Sequence, residues 1–528
     1  MNRKGKLFKS LKLKGFSFKF SSKSRMIRIE EFSGRVKKML PKVKDYRDEI
    51  DKELSDTKRS DLGEDFARLQ RALKETNKSM LVIVDGWESS GKGYLLKDLT
   101  RELDPKYYEV SVFENATEEE RSHPYLYRFF MRSPYRGQMA FFDRSFYYEL
   151  LNNPEIKDAR LEHLIKDIQF VEKALANDDT LIVKFFLHQT KGEMEDNIKK
   201  LEEDDYKHVR LSDQDYNQLD DYEKYYTHFE KVLEQTDHAL APWNILYVDG
   251  EKDTSRKALN ICIEQLELFL NTETSREEPE LPLLPEAEEN LPLAQVDLTK
   301  KVADEEYDKQ LEELQERAGD LLYQAYIENK PIIIAYEGTD AAGKGGNIER
   351  LTRYMDPRGY DVATVSSPTK HELAHHYLWR FYRDFPTFGR LTIFDRSWYG
   401  RVLVERVENL TPAYRWKEAY SEINQMEHNL KHDGYLVLKY LLIIDKEEQL
   451  ERFEARAEDP DKQHKLTDED WRNHKQFDAY KQAMNEMVYY TSTEETPWKI
   501  ISGQDKNHAR IEVLKDFIDR VCRFFDEE

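Results

Sequence analysis

The chain has 528 residues, and its 82 Lys and Arg against 104 Asp and Glu give a formal net charge of −22. This acidic balance argues against general nucleic-acid binding, while 39% hydrophobic residues are enough to bury cores and exclude a wholly disordered chain. The apolar runs, such as 440–444, are far shorter than the roughly 18 residues of a membrane-spanning helix, so we expect no membrane association. The two cysteines, Cys262 and Cys522, cannot form a disulfide framework, which favours a reducing, cytoplasmic compartment.

Two segments differ from the rest of the chain. Residues 1–30 contain seven Lys and three Arg before the first acid, Glu30. This composition predicts a disordered tail; targeting, anion tethering or a start at Met26 are the alternatives. Residues 271–300 hold four prolines among acids and predict an extended linker. The segments leave 31–270 and 301–528 as the predicted domains.

The two predicted domains repeat one another. The sequence GWESSGKG from Gly86 recurs as GTDAAGKG from Gly338, an offset of 252 residues, and Asp143–Ser145 recurs at the same offset. Further along, Pro242-Trp243 recurs at an offset of 255. Chance matches do not keep register over such a distance, so we infer a tandem duplication of one domain.

The order of apolar and amphipathic segments predicts the fold class. In both halves a short apolar run ends at a Gly-rich turn that a helix-compatible stretch follows. Alternating strands and helices predict an α/β fold with a parallel sheet flanked by helices on both faces. Strands are predicted at 81–84, 332–335, 362–365, 391–394 and 436–444, and helices at 304–328, 411–431 and 447–457.

The segment Gly338–Lys344 reads G-x-x-x-x-G-K, which is typical of a phosphate-binding loop. Its glycines allow backbone amides to converge on an anion at a helix N-terminus, and Lys344 adds a point charge. Gly345 stands where a magnesium-ligating Ser or Thr is usual, so we expect Asp340 and Asp395 to hold Mg²⁺. The predicted phosphate contacts in the loop are Gly338, Ala342, Gly343 and Gly345.

Three charged side chains follow the strand that Asp395 ends. The guanidinium of Arg396 can clamp phosphate oxygens, although a structural ion pair is its alternative. Arg401 and Glu405 stand four residues apart, which predicts either a nucleotide-binding pair or a surface salt bridge.

Long motifs of the second half closely resemble the family-2 polyphosphate kinases. They are EGTDAAGKGGNIERL, YLWRFYRDFPTFGRLTIFDRSWYGRVLVERV and KYLLIIDKEEQLERFEARAEDPDKQHKL, and the resemblance spans almost all of 304–520. It implies a thymidylate-kinase-like P-loop core, magnesium dependence and a helical lid. The fused halves resemble the subgroup that transfers a phosphoryl group from inorganic polyphosphate to AMP. By motif position the resemblance implies catalytic roles for Asp340, Lys344, Asp395 and Arg396, and polyphosphate binding by Arg452, Arg456, Lys462 and Lys465.

The repeat also predicts which half is active. Of eight Lys and Arg between 446 and 481, the equivalent first-half positions keep three. Arg452 is replaced by Asn197, and the loop residue Asp340 by Glu88. We therefore expect a catalytic second half, and a first half that is a scaffold or a weak phosphate or nucleotide site. The first-half site residues are Gly86, Lys92, Asp143 and Arg144.

Three other functions remain open at this point. They are a polyphosphate-dependent nucleoside diphosphate kinase, an ATP-dependent nucleoside monophosphate kinase and a non-catalytic polyphosphate-binding protein. A chain of two similar domains can mimic a dimer by pairing its own halves, and a further homo-oligomer also remains open.

Overall fold

The computed structural model describes residues 50, 52–248, 250–272, 278–461, 463 and 466–526. The predicted basic tail at 1–30, with the alternative start at Met26, lies outside the described residues, as do Lys462 and Lys465.

Each half is built on a five-stranded parallel sheet. The strands are β1 Ser79–Gly86, β2 Tyr108–Val112, β3 Met139–Asp143, β4 Thr180–His188, β5 Trp243–Tyr247, β6 Ile332–Gly338, β7 Tyr360–Thr364, β8 Leu391–Asp395, β9 Leu436–Ile443 and β10 Trp498–Ser502. The spatial orders, β2-β3-β1-β4-β5 and β7-β8-β6-β9-β10, are the same in both halves. The predicted tandem α/β fold with parallel sheets is confirmed.

Helices cover the sheets. In the first half they are Lys52–Asp56, Arg59–Lys74, Lys92–Thr100, Glu118–Arg121, Tyr127–Phe130, Tyr148–Asn152, Asp158–Asn177, Lys191–Glu202, Lys207–Arg210, Asp213–Asp220, Tyr222–Thr236 and Glu251–Asn271. In the second half they are Asp304–Ile327, Lys344–Leu351, Lys370–Leu373, Trp379–Asp384, Val404–Val407, Ala413–His432, Lys446–Glu458, Asp468–Lys475, Phe477–Thr491 and Lys506–Asp526. Within the described part of the chain, no helix has the length and apolar character needed to span a membrane.

A glycine ends the central strand of each sheet. Gly338 has φ +148°, and a Cβ there would lie 2.1 Å from the carbonyl oxygen of Leu442 in β9. Gly86 has φ +139°, with the corresponding Cβ 2.4 Å from the oxygen of Leu187. A side chain fits neither the dihedral angle nor the space, so glycine is required where the chain leaves the sheet for the loop.

A buried ion pair lies under the second sheet. The ammonium of Lys439, on β9, is 2.7 Å from the carboxylate of Glu427 and also donates to the Tyr399 hydroxyl and the Thr491 carbonyl. Burial lowers the pKa of Lys439, and Glu427 opposes that shift by stabilising the charge. The first half has the same network, made by Lys184, Glu172, Tyr147 and Thr236.

The two halves pack through equivalent surfaces. Helix Asp158–Asn177 contacts helix Ala413–His432, its equivalent at an offset of 255. Phe130 stacks on its own equivalent, Tyr382, with ring centroids 4.5 Å apart. Two equivalent backbone hydrogen bonds cross the interface: Arg136 N to Ala374 O at 2.9 Å and Phe388 N to Ser122 O at 2.8 Å. The halves therefore pair about a local pseudo-twofold axis, as two copies do in a symmetric dimer.

The described part of the predicted linker lies against the second half. Leu293 is buried and its backbone amide donates to the side chain of Asn485 at 2.9 Å. The hydroxyl of Tyr490 donates to the carbonyl of Pro282 at 2.6 Å. The described segment is packed and includes two 3-10 helices, Glu288–Asn290 and Pro292–Gln295; the linker and the domain boundaries stay a prediction.

Replacing Glu427 with Gln leaves the buried ammonium of Lys439 without its counter-ion. We expect the second half to lose about 3–5 kcal/mol in free energy of unfolding, the usual cost of breaking a buried pair. The measurement is urea unfolding of the full chain, followed by circular dichroism. The exposed Glu447→Gln variant is the control and should change stability by less than about 0.5 kcal/mol. Equal destabilisation by both substitutions would contradict this role.

Candidate active site

The second-half loop connects β6 to the N-terminus of helix Lys344–Leu351. Gly343 is the residue before the helix. Its φ of +101° is a left-handed conformation that glycine adopts readily, and it directs the chain into the first turn of the helix. The ammonium of half-buried Lys344 donates to the carbonyl oxygen of Gly338 at 2.9 Å. Among the described residues no carboxylate forms an ion pair with Lys344, so its charge is available to an anion in the loop.

Arg396 lies directly after β8, opposite the loop. Its φ of +65° is uncommon for a residue with a side chain, and its first-half equivalent Arg144 shares it at +61°. One guanidinium nitrogen is 3.5 Å from the Asp340 carboxylate and another is 3.7 Å from Glu469. The side chain is still 45% exposed, so it can reach a ligand as well.

The two predicted magnesium ligands lie at the carboxyl edge of the sheet. Asp395 is the last residue of β8, in register with Tyr336 of β6, and is half-buried. Asp340 is in the loop that follows β6, and one of its carboxylate oxygens accepts a hydrogen bond from Asn473 at 2.8 Å. A carboxylate has further lone pairs, so this contact leaves Asp340 able to bind a cation.

A small cavity of about 70 Å³ opens beside the loop. It brings together three of the four predicted catalytic residues, Asp340, Lys344 and Arg396, whereas the fourth, Asp395, does not line it. The other lining residues are Glu337, Gly338, Thr339, Gly400, Leu403, Val404, Gln449, Glu469, Asn473, Phe477, Tyr480 and Met484.

Glu337 is a cavity residue that the sequence prediction missed. It is buried at the end of β6, and one carboxylate oxygen accepts hydrogen bonds from both the amide and the hydroxyl of Ser397 at 2.8 Å. Burial raises the pKa of Glu337. The repeat carried the signal: Asp85 and Ser145 occupy the equivalent first-half positions and form the same contact at 2.6 Å.

The helix Asp468–Lys475, which we call the lid helix, contacts the loop. Its Asn473 donates to Asp340, and His474 is 2.7 Å from the side-chain oxygen of Gln449. Gln449 in turn donates to the backbone carbonyl of Asp340 at 3.1 Å. This helix follows the positions from Arg452 to Lys465 to which the resemblance assigned the lid; closure of a lid over a substrate stays a prediction.

The position of Arg452 differs from the expected polyphosphate contact. Its side chain is 8% exposed, and it donates to the backbone carbonyls of Ala341, Gly503 and Gln504 at 2.7–2.9 Å. A further hydrogen bond goes to Glu448 at 2.6 Å. Its donors are thus used inside the protein, and Arg452 holds the loop from behind rather than facing a ligand.

Arg456, one turn further along the same helix, is half-buried and stands in a group of cations. Burial lowers the pKa of the nearby Lys506, and the charges of Arg452, Arg510 and Arg456 lower it further. Crowded cations of this kind favour an anionic ligand, which keeps Arg456 as a predicted phosphate contact.

Arg401 and Glu405 form the ion pair that the sequence offered as an alternative, with 2.8 Å between nitrogen and oxygen. Both also bond the hydroxyl of Thr411 at 2.6 Å, and Arg401 lies over the ring of Tyr377. Their contact with a nucleotide stays a prediction.

The first-half loop is neutralised by its own side chain. The carboxylate of Glu88 is 3.0 Å from Lys92 and 3.0 Å from Arg144. Burial alone raises the pKa of Glu88, but Lys92 and Arg144 outweigh it and lower the pKa to about 2. Asp143 ends β3 beside them, and burial raises its pKa. The two cations that a phosphate would need are therefore already paired.

A family model described as polyphosphate kinase 2 matches residues 49–274 and 301–524. The chain is 37% identical over 451 residues to the polyphosphate:AMP phosphotransferase of Pseudomonas syringae pv. tomato, covering 84% of this chain and 90% of that protein. It is 35% identical over 478 residues to the protein of the same name from Pseudomonas aeruginosa, covering 89% of this chain and 96% of that protein. A crystal structure described as a polyphosphate kinase 2 from Pseudomonas aeruginosa PA01 matches with TM-score 0.81 and 33% identity, covering 92% of this chain and 99% of that one.

Removing the internal carboxylate should open the first-half loop to anions. In a Lys344→Ala background, we expect Glu88→Ala to bind tripolyphosphate at least about 10-fold more tightly than the parent, because Lys92 and Arg144 lose their partner. Isothermal titration calorimetry measures the affinity. Glu109→Ala, which removes an exposed acid of the same half, is the control. No gain over that control would show that self-neutralisation is not what closes the loop.

Proposed function

Because this chain belongs to the polyphosphate kinase 2 family, we propose that it transfers a phosphoryl group from inorganic polyphosphate to AMP, forming ADP and a polyphosphate shorter by one unit. The observation that carries the proposal is that relatives named polyphosphate:AMP phosphotransferase match this chain through both halves. The free cysteines favour the cytoplasm as its location.

We assign the chemistry to the second half, taken as residues 301–528. Lys344 and Arg396 there have no tight carboxylate partner and border one cavity, whereas their equivalents Lys92 and Arg144 are both paired with Glu88. The first half, 31–270, then serves as a scaffold that retains the loop and the strand-end acid.

Magnesium fits the two carboxylates at the edge of the second sheet. Mg²⁺ is usually held by one or two carboxylates together with substrate phosphate oxygens and water, so Asp340 and Asp395 are a sufficient protein contribution. Gly345 offers no hydroxyl, which leaves the ligation to these acids. When bound, the ion neutralises charge on the transferring phosphoryl group.

The protein groups orient the substrates and stabilise the transferring phosphoryl group. The loop amides and Lys344 hold the phosphates, and Arg396 neutralises charge from the opposite side. An oxygen of the AMP phosphate attacks the terminal phosphorus; that P–O bond forms while the bridging P–O bond breaks and the shortened polyphosphate leaves. The attacking oxygen is already anionic near neutral pH, so alignment rather than a strong base supplies the rate.

The lid completes the site by excluding water, since hydrolysis of the donor would otherwise compete with transfer. We propose that Arg456 contacts the polyphosphate and that Arg452 positions the loop. Lys462 and Lys465, outside the described residues, remain proposed donor contacts, and Arg401 with Glu405 is proposed to border the nucleotide.

The decisive assay supplies polyphosphate, AMP and Mg²⁺ without ATP and measures ADP. We expect ADP from the parent, and at least about a 100-fold lower kcat for Lys344→Ala, because a phosphate-stabilising cation is lost. Lys92→Ala, the equivalent substitution in the first half, is the matched control and should stay close to the parent. If Lys92→Ala abolishes turnover while Lys344→Ala does not, the assignment of the active half is wrong. ADP formation that requires ATP would instead favour a nucleoside monophosphate kinase.

Substitutions of Arg452 and Arg456 should have different effects on the steady-state kinetic constants. Arg456→Ala is expected to raise the KM for polyphosphate more than the KM for AMP, because it removes a donor contact. Arg452→Ala is expected to lower kcat and the unfolding temperature with similar effects on both KM values, because it releases the loop backbone. A selective rise in the polyphosphate KM for Arg452→Ala would contradict its positioning role.

A further inference from the structure

Three histidines from the two halves meet at the interface between the paired helices. His163 belongs to helix Asp158–Asn177, and His428 and His432 belong to helix Ala413–His432. One ring nitrogen of each lies within 4.8 Å of the other two. The rings of His163 and His432 have centroids 4.4 Å apart, and those of His428 and His432 are 4.3 Å apart.

Two buried carboxylates adjoin His163. Asp167 and Asp433 each bring an oxygen within 4.8 Å of the other and of a ring nitrogen of His163. Asp167 is fully buried and His163 is 8% exposed. The Nε2 atom of His163 and both carboxylate oxygens of Asp167 have no hydrogen-bond partner among the described residues. Buried polar atoms without partners are uncommon and costly, and an unfilled ligand site is one explanation for them.

The repeat supplies an internal comparison. On the other side of the pseudo-twofold axis, the positions of His163, His428 and His432 are taken by Glu418, Lys173 and Asn177. That side is closed by ion pairs of Asp178, the equivalent of Asp433, with Arg136 and Arg415. The same helix pair therefore packs without histidines, so the cluster is not a requirement of the interface.

We propose that His163, His428 and His432 bind a divalent transition-metal ion of the zinc class that joins the two halves. Three imidazoles, with water in a fourth position, are typical ligands of tetrahedral zinc, whereas Mg²⁺ and Ca²⁺ prefer oxygen ligands alone. Asp167 lies outside this group of three, with an oxygen 3.3 Å from Nε2 of His163, where a carboxylate can orient a metal-binding imidazole.

The surroundings of His428 support this ligand set. Glu495 lies 2.7 Å from Nδ1 of His428, the contact by which an outer carboxylate orients a metal-binding imidazole. The site shares no residue with the proposed phosphotransfer site and does not depend on it.

Cobalt is a suitable probe because Co²⁺ in a tetrahedral nitrogen and oxygen site absorbs visible light, whereas Zn²⁺ is colourless. Full-length chain without a histidine tag is treated with chelator, and Co²⁺ is then titrated in excess Mg²⁺, which occupies oxygen-rich sites. We expect one Co²⁺ per chain with a tetrahedral spectrum, which Zn²⁺ displaces. Zn²⁺ should also raise the unfolding temperature of the full chain by a few degrees, because it binds only the folded interface.

His163→Gln is the critical variant because it removes the only histidine that the first half contributes. We expect it to bind Co²⁺ at least about 10-fold more weakly and to lose the rise in unfolding temperature. His432→Gln should weaken Co²⁺ binding in the same way. His208→Gln, at an exposed position away from the cluster, is the control and should bind Co²⁺ as the parent does. Unfolding temperatures measured without metal identify a variant that has lost its fold, and Asp167→Asn then gives a second test of the spectrum.

Two results would overturn the proposal. In the first, the parent binds no Co²⁺ beyond that of a chain lacking both His428 and His432. In the second, His163→Gln binds Co²⁺ as the parent does, which would reduce the site to two histidines on one helix and remove the link between halves.

Discussion

A buried lysine in each half fixes the elements that carry the site. Lys439 sits in β9 with no access to water, and its partners come from different elements: Glu427 from the interface helix, Tyr399 from the turn after β8, and Thr491 from the end of the helix that follows the lid. An unpaired buried charge costs several kcal/mol, so none of these elements can shift without losing a bond to the ammonium. The arrangement lies under the sheet, away from the phosphate loop. The first half can therefore keep the whole network, and with it the fold, while the residues above the sheet change.

Charge at the loop is decided by the length of one side chain. Glu88 is long enough to reach Lys92 and Arg144 together, whereas Asp340, shorter by one methylene, stays 3.5 Å from Arg396, and Lys344 bonds a backbone carbonyl instead. The first loop thus holds an internal anion where the second has room for a substrate. The net charge of −22 has no bearing on this difference, because it is set by neighbours within a few ångströms.

Local patterns predicted the fold well, since apolar runs and the Gly-rich loop are read from neighbouring residues, and β6 and β8 begin where their apolar runs begin. The short strand β10 was missed because a lysine interrupts its five residues. Arg452 shows what the sequence could not predict about the site. The sequence places a cation on a helix, but it does not tell whether that cation faces solvent or the backbone of a loop over a hundred positions away. The pairing of Glu88 and the meeting of His163 with His432 are likewise products of tertiary structure. The acid retained at Glu337 and Asp85 was a signal in the repeat that the sequence prediction did not use.

The stacking of Phe130 on Tyr382 marks the axis about which the halves pair, and these two rings are no longer the same residue. In a dimer of identical chains every substitution at such an axis is made twice, so a useful change on one side must be tolerated on the other. Covalent fusion removes that restriction. On one side of the axis the interface could acquire arginine–aspartate ion pairs, while the other side acquired histidines. In the same way, the cations of one loop could pair with an internal carboxylate, while those of the other loop stayed available to a ligand. The duplicated chain is free to diverge at its own centre of symmetry, where an assembly of identical subunits is not.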